Sequence, residues 1–149
     1  MSITVALDRD RTRRPLRLRL LTRLAICTAR LLVLLKPHLL TRVLTRLSRG
    51  AVPADSAQAH AARNSVLAAS LSLNGLRSCL PRSVSIALLC RLQGVWPTWC
   101  VGVRAAPPFA AHAWVETDGE LIGERGRPES FARLIAVPPH DNAARETAG

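Results

Sequence analysis

Ser78-Cys79-Leu80-Pro81-Arg82-Ser83 opens, and Ala111-His112-Ala113-Trp114-Val115-Glu116-Thr117-Asp118-Gly119-Glu120-Leu121-Ile122-Gly123-Glu124 closes, the stretch whose reading decides the fold. The first segment reads as a helix start. Ser78 is a candidate N-cap, Pro81 falls in the first turn where a missing N–H does no harm, and Val84, Ala87, Leu88 and Leu92 recur at helical spacing. Gly94 supplies the stop. The second segment reads as a β-hairpin, because His112, Trp114 and Glu116 alternate with Ala113, Val115 and Thr117 ahead of Asp118-Gly119 and the short apolar run Leu121-Ile122. An α+β fold follows, with one helix carrying a cysteine and a small antiparallel sheet carrying a histidine and an acid.

Turn length decides which side chains meet. A two-residue loop at Asp118-Gly119 pairs Thr117 with Glu120, places His112 opposite Arg125, and leaves His112 and Glu124 on opposite faces. A three-residue loop over Thr117-Asp118-Gly119 pairs Glu116 with Glu120 and so sets His112 against Glu124, with Cβ atoms about 5 Å apart. The three-residue loop is the expectation adopted. A cysteine in a first helical turn faces the positive end of the helix dipole and unpaired backbone N–H groups, a setting that favours a thiolate and can hold an oxyanion. Seen alone, a cysteine in an apolar helix is usually a small core residue, and a histidine on a strand is usually structural. Cys79, His112 and Glu124 together instead make the nucleophile, base and orienter of a papain-like site.

The segments Cys79-Leu80-Pro81-Arg82-Ser83, Gly94-Val95, Val101-Gly102-Val103-Arg104, Phe109 to Glu116 and Gly119 to Glu124 resemble the lasso peptide B2 proteins. These are transglutaminase-like cysteine peptidases that remove the leader from lasso peptide precursors. The resemblance covers roughly residues 60 to 137 and implies a transglutaminase/papain-like core, with Cys79, His112 and Glu124 catalytic; many members carry Asp where this chain has Glu124. Leu80, Arg82, Ser83 and Trp114 flank the nucleophile and base as near-site residues. The substrate it implies is a ribosomally made precursor peptide, cut at the leader–core junction before a separate cyclase closes the macrolactam. Cofactors and metals are not expected. A small leader-binding domain is not legible ahead of residue 57, so the resemblance is to the split form, in which a separate recognition protein delivers the precursor. Two other readings are an acyltransferase of transglutaminase type on the same thiol, and a non-catalytic adaptor.

Charge divides the 149-residue chain. Residues 1–50 hold twelve Lys/Arg against two Asp, a surplus of ten, whereas residues 51–149 hold nine Arg against eight acids. From Pro15 to Leu35, Leu16, Leu20, Leu24, Cys27, Leu31, Leu34 and Leu35 form a wide apolar face, and Arg19, Arg23 and Arg30 a narrower basic one. Those arginines are candidates for docking a partner or the acidic part of a leader. Contact with an anionic membrane surface is the less favoured reading, and no zinc, helix-turn-helix or RNP-type pattern supports nucleic acid. The expected organisation is a disordered basic tail over 1–14, amphipathic helices over 15–55, a catalytic domain over 56–137 and a flexible tail over 138–149. Cys27, Cys79, Cys90 and Cys100 show no metal spacing and no C-x-x-C pair, so a reducing cytoplasm suits a free catalytic thiol.

Overall fold

The computed structural model describes residues 14–75, 77–124 and 126–140. The expected tail over 1–14 therefore lies outside them save for Arg14, as does 141–149. In chain order come helices α1 (Leu16–Leu32), α2 (Pro37–Ser48) and α3 (Ser56–Ala69), a 3₁₀ turn over Leu71–Asn74, and helix α4 (Cys79–Leu92). Strand β1 (Val52–Pro53) precedes α3, and β2 (Val95–Trp96), β3 (Thr98–Arg104), β4 (Ala111–Thr117), β5 (Glu120–Leu121) and β6 (Phe131–Val137) follow α4. The main sheet is antiparallel in the order β5-β4-β3-β6, while β1 and β2 make a short parallel pair beside it. The architecture is α+β.

Helix α4 is the centre of the molecule. Every residue from Ser83 to Cys90 is buried, so the one-sided apolar face expected from Val84, Ala87, Leu88 and Leu92 gives way to a helix enclosed all round, with Leu92 left exposed. A helix apolar on all sides belongs in a core. Its two buried serines do not break this: Ser83 Oγ donates to Leu80 O at 3.0 Å and Ser85 Oγ to Pro81 O at 2.6 Å, satisfying the hydroxyls within the helix. Around it pack α1 and α3 on the helical side and β4 on the other. Burial of side chains such as Leu89, Val84 and Trp96 stabilises the fold by about 1.5–3 kcal/mol each.

The helices of the expected N-terminal segment share this core. Ala25, Ile26 and Ala29 of α1 and Leu40 and Leu44 of α2 are buried in the same cluster as Leu89. The face of α1 differs from the expected one: Thr22, Ala25, Ile26 and Ala29 are buried with Leu18, Leu21 and Leu32 packed beside them, while Leu16, Leu20, Leu24 and Leu31 stay outside. In α3, Ala59, Ala62, Ser65 and Val66 are the buried residues, and Ala61, Ala68 and Ala69 are exposed. Asp55 caps α3 in a reciprocal box with Gln58. Residues 138–140, expected to fray, are tied to the end of α2: Gly50 N donates to His140 O, and His140 N to Ser48 O.

Candidate active site

Cys79 is the first residue of α4, half-buried and with a free thiol. Ser78 occupies the N-cap position, but its hydroxyl does not cap. Instead Ser78 Oγ donates to Ser72 O at 2.8 Å, fastening the helix start to the 3₁₀ turn before it. Arg82, one turn along, reinforces the same join by donating to Leu73 O at 3.3 Å. Two of the expected neighbours are structural. Leu80 packs against the main core, and Ser83 is buried, accepting from Trp99 Nε1 at 3.1 Å and so clamping β3 to α4.

The hairpin turn is shorter than expected. Thr117 pairs with Glu120 and Glu116 with Leu121, a two-residue loop. Asp118 (φ 50) and Gly119 (φ 78) both carry the positive φ that a type I′ turn requires, and Asp-Gly is the sequence most suited to it. By register alone this would put His112 and Glu124 on opposite faces. They meet nonetheless: Glu124 Oε2 lies 2.9 Å from His112 Nε2. The reason is that β5 ends at Leu121, and after Ile122 N donates to Val115 O the chain leaves the ladder at Gly123 (φ 71), which turns Glu124 back toward His112. The positive φ at 123 favours glycine. A Cβ there would overlap the Arg63 guanidinium, which α3 lays over the bend.

Because β5 covers only Glu116 and Thr117, the first half of β4 is an open edge, and the start of α4 reaches it. Arg82 Nη2 stands 3.7 Å from Glu124 Oε1, so one carboxylate bridges the cysteine helix and the histidine strand. The His112–Glu124 contact is close but not in line with the ring N–H, so it is not an aligned hydrogen bond; with the imidazole protonated it is an ion pair. It engages Nε2, which leaves Nδ1 as the nitrogen to serve a thiol. Among the described residues no hydrogen bond joins the Cys79 thiol to His112. Histidine and acid thus meet directly, and Arg82, three residues after Cys79 on α4, ties the cysteine helix to the same carboxylate.

The imidazole is held on its other side by the expected near-site residue Trp114 together with Phe131. Its ring stacks on Phe131 (centroids 5.5 Å) and Trp114 (6.0 Å). Trp114 is buried, and its Nε1 donates to Glu116 Oε1 at 2.8 Å, while Arg133 Nη1 donates to Glu116 Oε2 at 3.3 Å. Trp114 is therefore a wall behind the base. Phe131 and Arg133 arrive there by a bulge. β6 pairs Ile135 with Val101 but Arg133 with Gly102, and the extra residue, Leu134, shifts the remainder of β6 to the opposite face. Gly102 is required beneath them, since a Cβ would overlap Ala132 O and press on Trp114. Glu116 carried a signal in its alternation with His112; the bulge carried none.

The other cysteines are placed differently. Burial pushes the Cys90 thiol from its ordinary 9.0 up to about 12, and burial together with the Glu116 charge does the same to Cys100, so both stay protonated through the neutral range. Cys27 is exposed on α1. Of the arginines expected to dock a partner, Arg19 and Arg23 are exposed, whereas Arg30 is engaged within the chain, donating to Ser70 Oγ at 3.3 Å and Ser72 Oγ at 2.6 Å.

A family model described as Transglutaminase-like superfamily matches residues 21–136. No curated protein and no solved structure gives a significant match.

Proposed function

Because the chain belongs to the transglutaminase-like superfamily, whose chemistry is that of cysteine peptidases and acyltransferases, we propose that it is a cysteine peptidase that removes the leader from a ribosomally made lasso peptide precursor. The observation that carries the peptidase half of this reading is the Glu124 carboxylate, 2.9 Å from His112 and 3.7 Å from Arg82 of the cysteine helix. It supports an imidazole oriented beside a helix start that presents a thiol. The lasso precursor as substrate rests on the resemblance of Cys79-Leu80-Pro81-Arg82-Ser83 and Ala111 to Glu116 to the B2 proteins.

The steps follow from these positions. His112 takes the Cys79 proton, and the thiolate adds to the scissile carbonyl carbon. Backbone N–H groups of the first turn of α4 receive the developing oxyanion. Collapse breaks the C–N bond as the imidazolium gives its proton to the departing core amine, leaving a thioester to the leader. Water, deprotonated by His112, then attacks that thioester and returns the thiol and a leader carboxylate. Glu124 stabilises the imidazolium in between, and Trp114 and Phe131 prevent the ring from turning away. The partners of this reading are a separate leader-binding protein that delivers the precursor and a cyclase that consumes the freed core, in a reducing cytoplasm.

The test incubates the purified chain with a precursor peptide, with and without the leader-binding protein, and compares wild type with Cys79→Ala by mass spectrometry. A single cut at the leader–core junction, absent in Cys79→Ala, is expected. Cleavage that persists in the variant sinks the nucleophile assignment. An amide formed to an added amine, with little hydrolysis, moves the assignment to acyl transfer.

A further inference from the structure

The outward face of α1 is an apolar feature that the described residues leave uncovered. Leu16, Leu20, Leu24, Leu31 and Leu34 are 71, 59, 54, 69 and 80% exposed. At about 100° per residue Leu16, Leu20, Leu24 and Leu31 fall in an arc of about 80°, Leu34 follows in the turn after the helix, and the buried Thr22, Ala25, Ile26 and Ala29 centre about 180° away. The helix therefore has two apolar sides, one spent on α4 and one facing out as a ridge. Isolated exposed leucines are ordinary, but a stripe of them along one helix is not.

Charge says what suits this ridge. From Arg14 to Gly50 there are nine Lys/Arg and no Asp or Glu. Arg19 and Arg23 border the stripe on one side and Arg17 on the other, all exposed. A second copy packed on this face would bring Arg17, Arg19 and Arg23 against their own equivalents with no acid on the helix to offset them, which opposes self-association through it. The stripe also lacks the Trp and Tyr that anchor protein interfaces, and a convex row of leucines needs no matching groove if it enters a fluid phase. We propose that this face docks the protein on an anionic lipid surface, with the leucines in the acyl boundary and the arginines, on flexible stems, among the phosphates. No helix among the described residues is long and apolar enough to cross a membrane, so α1 would lie in the plane of the interface.

The full chain is mixed with vesicles of phosphatidylglycerol and phosphatidylcholine in equal parts, or of phosphatidylcholine alone, at physiological salt and sedimented. Binding to the anionic vesicles is expected, at least tenfold weaker to the neutral ones. Leu24→Gln with Leu31→Gln is expected to reduce partitioning at least tenfold, and Arg19→Gln with Arg23→Gln to reduce it comparably and flatten its salt dependence. Both pairs are exposed, so circular dichroism melting should be unchanged. A wild type that stays in the supernatant overturns the proposal. So does a leucine variant that sediments like wild type, or one that instead loses self-association in the ultracentrifuge or binding of the precursor peptide.

Discussion

Two unequal clusters hold the two halves of the site. The main core, from Ala25 of α1 to Val137 of β6, encloses α4 from Val84 to Cys90 and so holds the helix that begins at Cys79. On the far face of the sheet, Cys100, Trp114 and Phe131 alone make a second cluster, with Leu121 against it, and His112 leans on two of these three. The nucleophile is thus anchored by bulk, the base by a few directional contacts. A loss in the first cluster should appear as lost stability, and a loss in the second as lost rate.

The largest effect should come from the link between them. Glu124→Ala removes both the imidazole's partner and the bridge to Arg82, and is expected to lower kcat/KM about 10²–10⁴-fold in the precursor cleavage assay with a near-unchanged Tm. A drop below tenfold would mean that the carboxylate is incidental. Gly123→Ala attacks the same link through the backbone, since it needs a positive φ and must displace Arg63; a loss of about 10–10²-fold is expected, and restored activity in Gly123→Ala with Arg63→Ala would isolate the clash from the strain.

A paired comparison then separates the clusters. Leu89→Ala, in the main core, is expected to destabilise by about 2–5 kcal/mol in urea titration while the folded fraction keeps its turnover. Glu116→Ala strands the buried Trp114 N–H and frees Arg133, costing about 1–3 kcal/mol, yet it should reduce kcat more than Leu89→Ala does. If the order of the two turnovers reversed, the stacked rings would be packing only.

The smallest effect is one of pH. Cys90 and Cys100 titrate at about 12 in the folded chain against an ordinary 9.0, so the unfolded chain gives up these protons first. Below pH 9 both states hold them and stability is flat; between about 9 and 12 the folded state binds more protons, and stability must fall as pH rises. Cys90→Ala should shallow that alkaline decline, read by urea midpoints at successive pH, and iodoacetamide at neutral pH should leave Cys90 and Cys100 unmodified.

Much of this arrangement was legible in the chain itself. Helical spacing and a glycine stop defined α4 and alternation defined β4, because these are contests settled within a few residues. The candidate triad was legible as residue types in order. Its assembly was not. Asp118-Gly119 was the local signal for a two-residue turn, and setting it aside to unite His112 with Glu124 reached the right pair by the wrong path: Gly123, under Arg63 from a helix sixty residues earlier, makes the reversal. Likewise the bulge at Leu134 brings Phe131 and Arg133 behind the imidazole, a shift of one residue that alternation along β6 cannot announce. The sidedness of α1 was decided the same way. Its sequence offers two apolar faces, and only the packing of α1 on α4, where Ala25, Ile26 and Ala29 are enclosed with Leu18, Leu21 and Leu32 beside them, determines which one is buried.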